Sequence, residues 1–511
     1  MNAIINFTGI PAKKIVFTFT LLPVIFFFLH NIATFMERVL NKEVLLLFVC
    51  YTFFALFIYF IFKLLFRTGV LHAAILSGLT MTGFLFFGIL QDYLLRYRQY
   101  SFLSNTYFLF LVILTVIVTV SMVIRNNPNR LNIAGRYFFI LFILLIAFES
   151  GTIIYKKATG KSIEAITDRM IPTLNIRSEP AFSERPDIYY IIFDGYTNHY
   201  ALKEYWGYED EIYHYLYSKG FYTIDSAFSN YKSTPFSIGS VLNLQYLKGA
   251  EPYLLSNSSN FLIGQKVYRK NILFKFLKQQ QYDFSIFSQL EDEKMLTAFG
   301  FLGVDKPVNW LRKLTLERIY LDPWKLHKLK SIFNKKSNQQ AVRLESMLKF
   351  DDYNKKALAH ILSDCEKSVT NKLTNPVFSY THFMLPHNPY LRDENGNLHS
   401  LPEPEGGNMQ GYLMQVKYSN KLIRQLTDCL LSDTARKKII IFQGDHGFRH
   451  YTNAPEHKEF LALNAIYFYN QDYSGLRKNM SHVNTFRVVI NTIFNGQMPL
   501  LEDRIFFLKT E

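Results

Sequence analysis

The sequence is poor in cysteine. It has three, Cys50, Cys365 and Cys429, and no CxxC pair. Zinc ribbons and thioredoxin-type redox sites need such pairs, so neither is suggested. Cys50 lies in an apolar run. Cys365 and Cys429 could pair, but two thiols make no disulfide framework. Acidic residues are also outnumbered, 41 against 56 Lys and Arg, for a formal net charge of +15. No basic helix or nucleic-acid motif accompanies that excess, so nucleic-acid binding is set aside. The positive balance reads instead as membrane-surface attraction and control of topology. Charge is scarcest across residues 1–155, which are crowded with Phe, Leu, Ile and Val. From about residue 159 the composition is that of an ordinary globular protein, and this part is long enough to bury a sizeable core.

A hydrocarbon core about 30 Å thick takes about 20 apolar residues as a helix. Five stretches approach that length: roughly 15–33, 44–62, 70–90, 107–124 and 137–154. The second and fourth carry no charge. The first contains Pro23 and comes after Lys13 and Lys14. Its apolar run is too long for a cleaved signal and no Ala-x-Ala site is found after it, so it reads as a retained helix. With the N-terminus inside, Lys13, Lys14, Lys63, Arg67, Arg125, Arg130 and Arg136 fall inside, against Arg38, Lys42, Arg96 and Arg98 outside. That bias favours N-inside, although Lys156, Lys157 and Lys161 run against it. Five crossings then place the rest of the chain outside the cytoplasm. Intramembrane charge is sparse, namely Glu149 with His30 and His72 near helix ends, and no internal repeat is visible. The helices therefore read as an anchor rather than a transport pathway.

Residues 156–186 form a polar connection containing Pro172, Pro180 and Pro186. Three short β-rich runs come next. Residues 187–193 lead into Asp194-Gly195, residues 376–382 end in His382, and residues 438–444 lead into Asp445-His446-Gly447. Continuous apolarity marks strands buried on both faces, as in parallel sheets. Helix-like segments at 353–369 and 411–431 lie between them, which implies a mostly parallel α/β sheet. Residues 250–350 read as an irregular helical insertion rich in Lys.

A strand ending in Asp-Gly is ordinarily just a turn. Three strand ends carrying carboxylates and imidazoles are more specific, because they offer ligands for zinc or manganese where α/β sheets bind them. In Ser229-Asn-Tyr-Lys-Ser-Thr234-Pro235, Thr-Pro before an apolar-rich run reads as a helix N-cap with Pro at the first helical position. Taken alone, a structural cap is the better reading. The same position favours an anion, and a divalent cation beside it would make Thr234 a nucleophile.

This order of motifs resembles the sulfatase-like branch of the alkaline phosphatase superfamily. Within that branch it is most similar to membrane-anchored phosphoethanolamine transferases and lipoteichoic acid synthases, which also carry about five N-terminal helices and an extracytoplasmic catalytic domain. The sharp motifs fall within residues 187–460. The resemblance implies Asp194, Asp445 and His446 as metal ligands. It makes Thr234 a further ligand and the nucleophile that is transiently substituted. It gives His382 and His387, in His-Phe-Met-Leu-Pro-His-Asn-Pro, the task of binding the phosphoryl group or protonating the leaving group. His457 matches a further histidine only weakly, and a solvated surface residue is the better reading there. Three departures matter. No cysteine near Thr234 can mature to formylglycine, so sulfate ester hydrolysis is not expected. A second metal bound as in classical alkaline phosphatases is not expected, so one metal is expected. The periplasmic disulfides common in those transferases are expected to be absent.

The resulting expectation is a multi-pass protein of the inner or plasma membrane. A helical transmembrane bundle (1–155) and a linker (156–186) precede an extracytoplasmic, alkaline-phosphatase-like α/β domain (187–511). With one zinc or manganese ion, that domain moves a lipid-derived phospho-headgroup from a membrane lipid donor to an envelope glycan or lipid acceptor through a phospho-threonine. Two alternatives stand beside this. One is a phosphodiesterase with water as acceptor, and the other is a non-catalytic envelope-assembly protein on the same fold.

Overall fold

The computed structural model describes residues 12–39, 42–65, 69–95, 102–125, 128–159, 163–171, 173–174, 176, 185–254, 258–291, 307–318, 339–370, 374–398, 409–451 and 454–507. The apolar stretches near the N-terminus are helices: α1 (Ala12–Val39), α2 (Lys42–Leu65), α3 (Val70–Leu95), α4 (Thr106–Arg125) and α5 (Pro128–Ala158). Stretches in α2 to α5 are long and apolar enough to cross a membrane, while that of α1, Thr18–Thr34, is shorter. Leu46, Phe53, Phe57, Leu111 and Phe148 on these helices are each more than half exposed. Such a surface suits hydrocarbon rather than water. Glu149 is buried in α5, where it bonds His30 Nδ1 of α1 at 2.8 Å. A charge inside a bundle needs such a partner. Loop residues 66–68, 96–101 and 126–127, with Arg67, Arg96 and Arg98 that bear on orientation, lie outside the described residues, as do 160–162, 172, 175 and 177–184 of the expected linker.

The chain continues through α6 (Ile163–Met170), β1 (Asp187–Phe193), α7 (His199–Trp206), α8 (Glu211–Ser218), β2 (Tyr222–Thr223), α9 (Thr234–Leu242), α10 (Ser258–Arg269), α11 (Ile272–Gln279), β3 (Asp283–Phe287) and α12 (Pro307–Leu314). It ends with α13 (Gln339–Val369), β4 (Val377–Phe383), α14 (Met409–Ser432), β5 (Lys438–Gly444), β6 (Asn464–Phe468) and α15 (Thr485–Phe494). The described residues within 1–163 and 305–339 form one compact unit, and those within 164–304 and 340–511 form a second. The Lys-rich insertion is thus divided. Its α10, α11 and β3 belong to the second unit, whereas α12 buries Leu311 in the apolar cluster of the first.

The second unit is built on one six-stranded sheet in the order β2-β6-β5-β1-β4-β3. β3, β4, β1 and β5 run parallel, while β6 and β2 add antiparallel pairings at one edge. Every residue of β1, β4 and β5 is buried. The pleat divides them between two layers: Ile188, Tyr190, Ile192, Ile439 and Ile441 face one, and Tyr189, Ile191, Phe193, Ile440 and Phe442 face the other. Helices cover both layers, which is why the three strands read as unbroken apolar runs. Each fully buried Ile or Phe contributes about 1.5–3 kcal/mol of transfer free energy, so the centre of this sheet is its most resistant part.

Cys365 on α13 and Cys429 on α14 form a disulfide with a Cα–Cα distance of 6.4 Å. The expected absence of disulfides is therefore corrected. Both helices lie on the Tyr189 face of the sheet, where both cysteines join the apolar layer. The crosslink spans a sequence separation of 64. Closing a loop of that size contributes about 4 kcal/mol in the chain-entropy account. The double variant Cys365→Ala, Cys429→Ala should therefore melt at a lower temperature than the wild type. Reductant should lower the wild-type melting temperature and leave the variant unchanged.

Candidate active site

Strand register brings the expected residues together. β1 lies between β4 and β5, and Phe193 stands opposite both Phe383 and Gly444. The three strands thus end at one level. Asp194 comes directly after β1, Asp445 and His446 directly after β5, and His382 is the penultimate residue of β4. Gly195 turns the chain at φ +73°, a left-handed conformation that favours glycine. Its N–H donates to Asp445 Oδ1 at 2.9 Å. Gly447 is required by space, since a Cβ there would lie 2.2 Å from the Leu461 carbonyl oxygen.

Asp194, Asp445 and His446 are all buried, and each offers a ligand atom within 4.8 Å of the others. His446 Nε2 lies 3.5 Å from Asp194 Oδ1 and 3.4 Å from Asp445 Oδ2. None of these three atoms has a hydrogen-bond partner. The tautomer of His446 is set by its other nitrogen. Nδ1 lies 2.7 Å from the Gly447 carbonyl, which can only accept, so Nδ1 carries the proton and Nε2 presents a lone pair. Two carboxylate oxygens and a lone pair, buried together with no donor between them, repel one another. A divalent cation satisfies all three, and a histidine whose far nitrogen donates to a carbonyl is in the form that binds metal. The residues present therefore fit the expected metal.

The electrostatics match this geometry. Burial, and then the neighbouring Asp194 carboxylate, push the Asp445 carboxyl up to about 6. Burial also pushes Asp194 up, but the His387, His382 and His446 imidazoles outweigh it and hold Asp194 below the usual carboxylate range. Burial and the Arg449 charge push His446 down to about 3, which keeps it neutral near pH 7.

Thr234 opens α9 beside this cluster. The cap falls one residue earlier than expected, on Ser233, whose side chain makes no capping bond, and Thr234 is the first helical residue. The Thr234 hydroxyl is half-buried and close enough to Asp445 to lower its pKa, without completing a hydrogen bond to Oδ2. One turn on, the Ser237 hydroxyl donates to the Asp445 main-chain carbonyl and ties α9 to the end of β5.

The two histidines of the His-x4-His segment differ. His382 is fully buried. Its Nε2 lies 3.6 Å from Asp194 Oδ2 and 3.3 Å from Gln289 Nε2, and Tyr380 lies 3.1 Å from its Nδ1. His387 is half-buried, and its Nδ1 donates to the Asn388 carbonyl at 2.6 Å. Arg449 Nη2 donates to His387 Nε2 at 3.2 Å, and Arg449 Nη1 donates to the Lys232 carbonyl at 3.1 Å. Burial pushes the His387 pKa down. Reading the sequence did not single out Arg449. Its signal was a cation two residues beyond Asp445-His446-Gly447. Arg449 has no carboxylate partner among the described residues, unlike Lys232, which pairs with Glu456 and Glu459. His457 is exposed in the short turn Glu456–Phe460, consistent with a surface residue.

The sulfatase family profile matches residues 217–489, more than half of the chain. That stretch includes Thr234, His382, His387, Asp445 and His446, with Asp194 just ahead of it. A search of curated protein sequences finds no match. Solved structures give loose likenesses in fold. The C-terminal periplasmic domain of EcEptC from Escherichia coli has 11% identity and a TM-score of 0.39, covering 66% of this chain and 94% of that one. The integral membrane protein lipooligosaccharide phosphoethanolamine transferase A from Neisseria meningitidis has 11% identity and a TM-score of 0.38, covering 95% and 96%. The C-terminal periplasmic domain of phosphoethanolamine transferase EptC from Campylobacter jejuni has 13% identity and a TM-score of 0.35, covering 62% and 92%.

Metal analysis of the purified chain should find about one divalent ion per molecule at pH 7.5, and none after His446→Ala. Binding needs Asp445 ionised, and its pKa in the metal-free protein is about 6. Protons therefore compete below that value, and retention against a fixed chelator should fall as pH drops through about 6. Retention that is flat from pH 7.5 to 5 would contradict this site.

Proposed function

The chain belongs to the sulfatase family, and from that premise we propose that it is a membrane-anchored, metal-dependent phosphotransferase. It moves a phospho-headgroup from a membrane lipid to an alcohol on an envelope glycan or lipid. The observation that carries this reading is the Thr234 hydroxyl beside the Asp194–Asp445–His446 cluster. A zinc or manganese ion held by those residues would favour loss of the hydroxyl proton and neutralise charge on the phosphoryl oxygens. The nucleophile is a threonine with no cysteine nearby, which separates this chain from formylglycine-dependent sulfate ester hydrolysis.

The steps are set by the residues. Thr234 Oγ1 attacks phosphorus and gives up its proton to solvent, from which it regains one on release, while Asp445 stays ionised. The bond from phosphorus to the lipid alcohol breaks, leaving a phospho-threonine. Arg449, held by the Lys232 carbonyl and His387, supplies a guanidinium to the transferring group. An incoming phosphoryl oxygen competes for that guanidinium and frees the His387 Nε2 lone pair. His387 then takes the proton of the acceptor alcohol, which attacks phosphorus and releases Thr234. In the first step the same imidazole, having taken a proton from solvent at the freed Nε2, gives it to the leaving alcohol. His382 is enclosed and acts on Asp194 rather than on substrate.

The setting supports a lipid donor. Anchoring helices keep enzyme and lipid on one surface and raise their effective concentration. Five crossings from an inside N-terminus put the catalytic unit outside the cytoplasm, and the Cys365–Cys429 disulfide suits an oxidising compartment. If free headgroup accumulates while the acceptor stays unmodified, water is the acceptor and the enzyme is a phosphodiesterase.

Hydrolysis of a chromogenic bis-aryl phosphate by the full chain in detergent tests the site. Thr234→Ala should lose at least about 1,000-fold in kcat while retaining metal. Arg449→Ala should lose about 100-fold in kcat/KM, with Arg449→Lys intermediate. Wild-type turnover by Thr234→Ala would remove the nucleophile from this reading.

A further inference from the structure

Within the first unit, α2 and α4 both pack on α3. Beside that contact runs a slot of about 500 Å³. His72, Leu76, Thr80, Gly83 and Phe87 line it from α3, at the three- and four-residue spacing of one helix face. Phe54, Ile58 and Phe62 line it from α2, and α4 closes the other side. From His72 to Phe87 the slot runs along α3 for about 22 Å at 1.5 Å per residue. Its mean cross-section is therefore about 23 Å², the girth of a single extended hydrocarbon chain.

Its polar lining is small. His72 and Ser121 hold each other at one end, 3.4 Å apart. The Thr80 hydroxyl, midway, has no hydrogen-bond partner. A polar occupant would lose its hydration and regain few hydrogen bonds here. The other end is met by Leu316, from the segment after α12. Leu316 N–H donates to the Phe84 carbonyl at 2.8 Å. Arg318 donates to the Gly88 carbonyl at 2.7 Å and to Asp92 at 2.8 Å. Gly88 makes this approach possible, because a Cβ there would lie 2.3 Å from the Lys313 carbonyl oxygen. Asp92 and Arg318 place charge beyond this end, as at a membrane surface, and His72, near the start of α3, stands at the other.

We infer that the slot is a binding site for one extended acyl chain of a bilayer phospholipid. The helices around the slot are apolar enough to cross a membrane, so aliphatic chains are the medium in which it opens. The site is independent of the chemistry at Thr234.

The test uses the full chain in vesicles of phosphatidylethanolamine and phosphatidylglycerol doped with a phospholipid bearing a mid-chain diazirine. After photolysis, label should appear on α3 between Thr80 and Phe87. Thr80→Trp and Ile117→Trp fill the slot from opposite walls. Both should lose that label while keeping the wild-type melting profile and the label on outward-facing Phe53 and Leu111. Thr234→Ala should label like the wild type, so failure of the catalytic reading would leave this result untouched. Label confined to Phe53 and Leu111 in the wild type, or label on α3 that persists in both filled variants, would overturn the inference.

Discussion

At the ends of β1 and β5, two carboxylate oxygens and an imidazole lone pair face one another in a space closed to water, with no donor among them. Left alone they repel, and burial together with the neighbouring Asp194 carboxylate raises the pKa of Asp445. Most of the second unit can be understood as holding this arrangement in place. Three strands, buried on both faces, end at one level because their register is fixed from both layers. Gly195 and Gly447 let the chain turn within contact of His446 and Leu461. Ser237 fastens the helix carrying Thr234 to the same strand end. Removing one of the three ligands would leave the other two unsatisfied in the interior, which costs more than the lost contact itself.

The surrounding residues differ in how far they are committed to the fold. His446 and His382 have their ring nitrogens engaged or enclosed and serve the interior. Thr234, His387 and Arg449 are half-buried, so part of each remains open to solvent. Arg449 is a cation with no carboxylate partner among the described residues, close to a buried anionic cluster. Once a metal neutralises that cluster, the guanidinium is available to an incoming anion. The division between an enclosed ligand set and an accessible nucleophile with its flanking cation is what a two-step transfer needs.

The strand ends were legible in the sequence because a strand buried on both faces leaves an unbroken apolar run, and the residue that stops the run stands at the sheet's carboxyl edge. Asp194, His382, Asp445 and His446 were all visible in that way. Thr234 was visible as a helix start, but the cap sits on Ser233, since Pro at either of the first two helical positions fits the same pattern. The Cys365–Cys429 pairing depends on two helices lying on one sheet face, which spacing does not encode. Arg449 carries no periodic signal, and its role comes from the turn that folds it back toward His387. The segment around α12 looked like part of the second unit's insertion. It belongs to the first because Gly88 leaves room for it on α3, and the Gly88–Arg318 contact joins residues 230 positions apart.

On this mechanism Thr234 carries the group in transit. Incubation of the purified protein with a phospholipid donor and no acceptor, with acid quench and peptide mass mapping, tests that directly. A phospho-headgroup adduct is expected on the peptide containing Thr234, absent after metal chelation and discharged when an acceptor alcohol is added. An adduct on another residue, or transfer to the acceptor with no adduct on any residue when the donor alone is supplied, would contradict it.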